Sequence, residues 1–179
     1  KKIHFTKGIA KSLNQFGNDY LGSANYNIAL DCYFQSLRLN EKIGDIRRVS
    51  VNYNNIALVY LAQEDYKTAL SYLYKLVEIR KKLNNNDFRL AYANIGKAYF
   101  KMTQLDSALL YYQRSYELYN SSVDKFQLSG VLNGLGDVHS KLGNIELAFT
   151  CYKMSIAAAD PGSIYFAESY YGLAKLFKQ

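Results

Sequence analysis

Two histidines, two cysteines and fifteen acidic residues are the side chains from which acid–base, nucleophilic or metal chemistry could be built in this 179-residue chain. Catalysis needs such groups to converge at fitting spacings. His4 and His139 lie far apart in sequence, and neither sits near Cys32 or Cys151 at a metal-ligand spacing. No glycine-rich phosphate loop or dinucleotide fingerprint occurs. The neighbouring carboxylates Glu64 and Asp65 read as ordinary residues at a helix N-terminus. No catalytic residue, metal or cofactor is expected, so the chain reads as a non-enzyme.

The elements that would position any site come from composition and periodicity. Hydrophobic residues make up 49%, one proline is present, and eighteen residues are tyrosine. That composition permits a sizeable core and many uninterrupted helices. Tyrosine suits half-buried helix surfaces, having an apolar ring and one polar tip. The net charge of +7 comes from scattered Lys and Arg with no long basic run, which reads as a solvated, mildly basic surface. No segment has the roughly 18 apolar residues of a membrane span.

Four segments share one skeleton. They are Leu13-Phe16-Gly17-Tyr20-Ala29-Tyr33, Tyr53-Ile56-Ala57-Tyr60-Ala69-Leu73, Tyr92-Ile95-Gly96-Tyr99-Ala108-Tyr112 and Leu132-Leu135-Gly136-His139-Ala148-Tyr152. The alanines recur after 40, 39 and 40 residues. Large residues at spacings of three and four form one helical face. The Gly or Ala positions let two antiparallel helices approach closely. One such pair cannot bury its face alone, so neighbours must stack. First helices are predicted near Phe5–Leu21, Ile46–Leu61, Phe88–Met102, Lys125–Leu142 and Ser163–Phe177. Second helices are predicted near Asn25–Glu41, Tyr66–Leu83, Leu105–Asn120 and Ile145–Ala158. Asp45, Asp87 and Asp124 stand where N-caps would be. His139 takes the place of a tyrosine and reads as a packed residue; both cysteines read as core residues.

This skeleton resembles the tetratricopeptide repeat over nearly the whole chain. Leu or Tyr replaces the leading Trp, the closing Pro occurs once as Pro161, and the period exceeds the family's usual value of about 34. The extra residues fall between each second helix and the next first helix, where continuing apolar residues predict longer helices. The resemblance implies an all-α fold, a right-handed superhelical solenoid of antiparallel helix pairs. It would be a single array over residues 1–179, with repeats near 5–44, 45–86, 87–123 and 124–161 and a terminal single helix over 162–179. The terminal helix, which has no second helix after it, is expected to cap the fourth repeat.

The same resemblance implies a protein- or peptide-binding scaffold with a groove lined by the first helices. The implied groove residues are Asn14, Asn18, Asn54, Asn55, Leu58, Asn94, Lys97, Lys101, Gly130, Asn133, Gly134, Asp137, Lys141, Tyr171 and Lys175. Side-chain amides both donate and accept, so the asparagines could grip a peptide backbone. The lysines suit an acidic partner. Gly130 and Gly134 share a helix face, either under a neighbouring side chain or as a bare notch for a ligand. The pattern by which chaperone-binding members clamp a terminal carboxylate is not present. The linker Lys42-Ile43-Gly44-Asp45 and the run from Asn54 to Tyr60 resemble repeats in the sensory or interaction regions of bacterial two-component sensors and transcription regulators. Peptide-pheromone receptors and RNA-binding helical repeats are the alternative readings. No specific nucleic acid and no membrane insertion are expected. The expected location is cytoplasmic, or periplasmic if a signal peptide precedes Lys1.

Overall fold

The computed structural model describes residues 2–84, 87–119 and 125–178. Among the described residues there are nine α-helices and no strand. The first helices are α1 (Lys2–Gly22), α3 (Ile46–Ala62), α5 (Arg89–Lys101), α7 (Lys125–Lys141) and α9 (Ile164–Leu176). The second helices are α2 (Tyr26–Lys42), α4 (Tyr66–Lys82), α6 (Leu105–Glu117) and α8 (Ile145–Ala158). This is the expected all-α helical-repeat fold. The chain groups into two compact units, Lys1–Asn86 and Asp87–Gln179. None of the helices is long and apolar enough to cross a membrane, among the described residues.

Local chemistry fixes the helix ends. The Asp45 carboxylate accepts from the Arg48 backbone N–H at 3.3 Å, and Asp65 accepts from Thr68 N–H at 3.1 Å. Ser163 caps α9 by accepting from Phe166 N–H. Asp87 does not cap α5 as expected: Phe88 takes that position, and the Asp87 carboxylate binds the Arg89 Nε at 2.7 Å instead. Asp124 lies outside the described residues, as does the expected end of α6 at Asn120. Ala24, Glu64, Thr103 and Gly143, at equivalent places after each first helix, all have positive φ. That left-handed residue turns the chain back into the second helix.

Each pair is closed by a large residue of the second helix resting on a small one of the first. A β-carbon added at Gly17 would lie 2.5 Å from Tyr33 Cε1; at Gly96, 2.9 Å from Tyr112 Cγ; at Gly136, 2.6 Å from Tyr152 Cε1. The second pair has Ala57 and Leu73 at these places, both fully buried, so a smaller partner accompanies the added methyl. A serine hydroxyl fastens the same helices in three pairs. Ser36 donates to Ala10 O, Ser115 to Arg89 O and Ser155 to Ser129 O, each at 2.8 Å.

The tyrosine abundance has a second use. In the second pair Tyr72 stacks on Tyr60 at 5.8 Å and meets Tyr53 at 5.9 Å, with the Lys75 Nζ 4.8 Å from the Tyr72 ring. Equivalent residues in the third pair repeat this: Tyr111 stacks on Tyr99 at 5.7 Å and meets Tyr92 at 5.8 Å, under Arg114. The outer pairs place Cys32 and Cys151 at the Tyr72 position; both are free thiols, one buried and one half-buried. His139 is buried as expected, its Nδ1 3.5 Å from Asn144 Nδ2, and burial pushes its pKa down. The terminal helix α9 packs on both α7 and α8.

The ring–glycine fit gives a direct test. Gly→Ala in a helix interior ordinarily gains about 0.5–1 kcal/mol. Gly17→Ala should instead lose about 1–3 kcal/mol through overpacking against Tyr33. Adding Tyr33→Leu, which recreates the Ala57–Leu73 combination, should recover part of the loss. Thermal melts of the two variants decide it; a stabilising Gly17→Ala would refute the fit.

Candidate functional site

Within each unit the backbones of the first helices approach one another more closely than those of the second helices. α1 meets α3, and α7 meets both α5 and α9, whereas α2 and α4 meet through the Phe34 and Tyr72 rings at 6.2 Å. The first helices therefore line the inner side of each unit, and the implied groove residues lie on them.

In the Lys1–Asn86 unit this side is neutral and amide-rich. Asn55 Nδ2 donates to Asn14 Oδ1 and Asn18 Oδ1, both at 3.3 Å, and Asn54 Nδ2 donates to Asn55 Oδ1 at 3.3 Å. The Tyr33 hydroxyl donates to Asn18 Oδ1 at 2.8 Å, and burial pushes that phenol's pKa up to about 12. These asparagines thus bond to one another before any ligand arrives. Asn14 and Asn18 accept in this network, which leaves their Nδ2 groups as donors toward solvent. Leu58, half-buried beside them, adds apolar surface. Behind this layer Asn40 Nδ2 donates to Asn52 Oδ1 at 2.8 Å, a buried bond joining α2 to α3.

In the Asp87–Gln179 unit the same side is charged. Lys97 and Lys101 project from α5, Lys141 from α7 and Lys175 from α9, all exposed. Lys97, Lys101 and Lys141 make no ion pair among the described residues. The Lys175 Nζ lies 4.7 Å from the ring centre of Tyr171, which is 65% exposed. Asn94 is half-buried on α5. At the centre the Tyr152 hydroxyl donates to Asp137 Oδ1 at 2.8 Å. Burial raises the Asp137 carboxyl's pKa, against the opposing pull of that hydrogen bond and of Lys175, Lys101 and Lys141. Burial and the Asp137 charge likewise raise Glu168, against Lys97 and Lys101.

Of the two alternatives open for Gly130 and Gly134, the contacts favour close packing. Gly130 and Gly134 are not a bare notch: the Tyr165 ring covers Gly130 and the Tyr112 ring covers Gly134, so both glycines serve helix packing. Asn133 also takes part in helix packing. It is 6% exposed and turned toward α9, donating to Glu168 Oε2 at 3.0 Å, with its Oδ1 3.1 Å from the Ser169 hydroxyl. Glu168 was not among the expected residues. It stands six residues before Ala174, as Gly130 stands six before Gly136, so full alignment of α9 with the skeleton would have found it.

The two carboxylates have a stability consequence. A folded-state pKa above the unfolded value means relative stability that is present below the unfolded pKa and lost as pH rises through the folded pKa. Asp137→Asn keeps an acceptor for Tyr152 and removes the half-buried charge. It should melt at least as high as the parent at neutral pH, with the difference closing as pH falls through the raised pKa of Asp137. A variant that melts several degrees lower at neutral pH would contradict the assignment.

The family description "Tetratricopeptide repeat" matches residues 48–121 and again 87–161. Tetratricopeptide repeat protein 12 of Homo sapiens is 28% identical over 138 residues, which is 74% of this chain but 17% of that protein. Among solved structures, the apo form of RapI superposes with a TM-score of 0.81 at 18% identity, covering 97% of this chain and 51% of that one. BtubC (BKLC) from P. vanneervenii gives a TM-score of 0.73 at 18% identity, covering 86% of this chain and 66% of that one. These two likenesses establish the fold alone.

Proposed function

This chain belongs to the tetratricopeptide-repeat family, and we propose that it is a protein- or peptide-binding scaffold whose ligand lies along the first-helix side of each unit. The observation that carries the reading is the contrast between core and inner side. Tyr33, Tyr112 and Tyr152 and the serines Ser36, Ser115 and Ser155 of the second helices turn into internal contacts, whereas the inner side keeps four exposed lysines, an exposed tyrosine and amide groups. Exposed aromatic and charged groups on rigid helices favour binding over packing. In the Lys1–Asn86 unit a ligand would bond its main chain to the Nδ2 groups of Asn14 and Asn18, and in the Asp87–Gln179 unit a ligand would bond its side chains to the lysines. The setting that fits best is the sensory or interaction region of a larger bacterial signalling protein, because of the Lys42-Ile43-Gly44-Asp45 linker and the long repeats.

Panning a random peptide library on the purified chain, followed by hydrogen–deuterium exchange with the enriched peptides, tests this reading. Slowed exchange confined to α1 and α3, or to α5, α7 and α9, is the expected result. Peptides that protect only α2, α4, α6 or α8, or a library yielding no binder, would overturn it.

A further inference from the structure

The lysines of the Asp87–Gln179 unit fall in two rows across consecutive first helices. Lys97, Asp137 and Lys175 each follow the small skeleton residue Gly96, Gly136 or Ala174. Lys101 and Lys141 stand four residues on, one turn along the same helix faces. Neighbouring packed helices are roughly 8–10 Å apart, and an extended peptide advances about 3.3 Å per residue. A strand crossing α5, α7 and α9 would therefore meet a new helix at about every third residue.

We propose that the α5–α7–α9 side selects an extended acidic peptide carrying Asp or Glu at about every third position, read by Lys97, Lys101, Lys141 and Lys175, with Asp137 and Glu168 coupling its capture to proton uptake. The inference rests on the peptide-binding reading above and names the ligand's charge and spacing. Charge complementarity sets the sign of the ligand. The exposed lysines outnumber the two carboxylates, and Lys97, Lys101 and Lys141 are unpaired among the described residues.

The coupling follows from what surrounds the carboxylates. Asp137 faces Tyr152 from α8, Tyr112 from α6, Lys101 from α5, Lys175 and Glu168 from α9, and Lys141 on its own helix. Glu168 faces Lys97 and Lys101 from α5, Asp137 from α7, Tyr112 from α6 and Tyr165 on its own helix. Both carboxyl groups already hold their protons more tightly than usual through burial. An arriving row of carboxylates pulls on the lysines that now oppose this and adds like charge. Proton binding at Asp137 and Glu168 must then strengthen, and by linkage a lower pH must strengthen peptide binding.

Fluorescence anisotropy with three labelled peptides tests this on the whole chain. One has Glu at every third position of a Gly/Ser background, one has Lys at those positions, and one has Gln. The Glu peptide should bind at least about tenfold more tightly than the other two, and more tightly still as pH falls from about 8 to about 5.5 at fixed ionic strength. Lys101→Glu with Lys141→Glu should weaken it about tenfold or more. Asp137→Asn should strengthen it at neutral pH and flatten its pH dependence. A preference for the Lys peptide, or weaker Glu-peptide binding in Asp137→Asn, would show that the ligand presents a cation here and would overturn the inference. If library-selected peptides protect α5, α7 and α9 while the Glu peptide does not bind, the inference falls and the peptide-binding reading stands. If neither kind of peptide protects those helices, both fall.

Discussion

A tyrosine ring seated where a helix lacks a β-carbon is the contact from which the rest of this structure follows. Tyr33 rests on Gly17, Tyr112 on Gly96 and Tyr152 on Gly136, at distances that leave no room for a methyl group. In the Asp87–Gln179 unit the rings also reach the next first helix, where Tyr112 meets Gly134 and Tyr152 meets Gly172. Each ring is then held between two first helices. It sets the separation within its own pair and the approach of the following pair together. The serine bonds from Ser36, Ser115 and Ser155 fix the axial position of the same helices.

Because these rings pass through to the inner side, their hydroxyls bond to residues there. Tyr33 delivers a hydrogen bond to Asn18, and Tyr152 delivers one to Asp137, the residues that follow Gly17 and Gly136. One ring thus closes a helix pair with its edge and orients an inner-side residue with its tip. Asp137 is half-buried, and desolvation raises its pKa, the direction in which a charged carboxylate lowers stability at neutral pH. A partly desolvated carboxylate among lysines on the inner side is an observation that supports the binding proposal.

The repeat, the helix order and most helix ends were legible because the small and large residues keep a fixed spacing in four copies. Starts at Ile46, Tyr66, Leu105 and Ile145 follow directly from that register. The inner side was only partly legible. A glycine signals close approach without saying what approaches, and the rings over Gly130 and Gly134 come from Tyr165 and Tyr112 on other helices. The asparagines were recognisable as inner-side residues, but their bonds to one another depend on side-chain directions across α1 and α3. Glu168 was less legible because nothing in its residue type marks it as an inner-side residue until α9 is aligned through Ala174. The expected cap at Asp87 failed because a neighbouring arginine competes for the carboxylate, and periodicity does not register such a competitor.

The central claim is that one tyrosine carries two separable duties, ring seating for the fold and hydroxyl donation for the site. Tyr152→Phe separates them, since it keeps the ring on Gly136 and Gly172 and removes the bond to Asp137. The decisive measurement is a carboxyl-carbon NMR titration of Asp137 in parent and variant, with a thermal melt of each. The account predicts a melting temperature changed by only a few degrees, as losing one hydrogen bond at about 0.5–1.5 kcal/mol allows, and an Asp137 pKa that rises further without its donor. An unfolded variant, or an Asp137 pKa that stays fixed or falls, would contradict it.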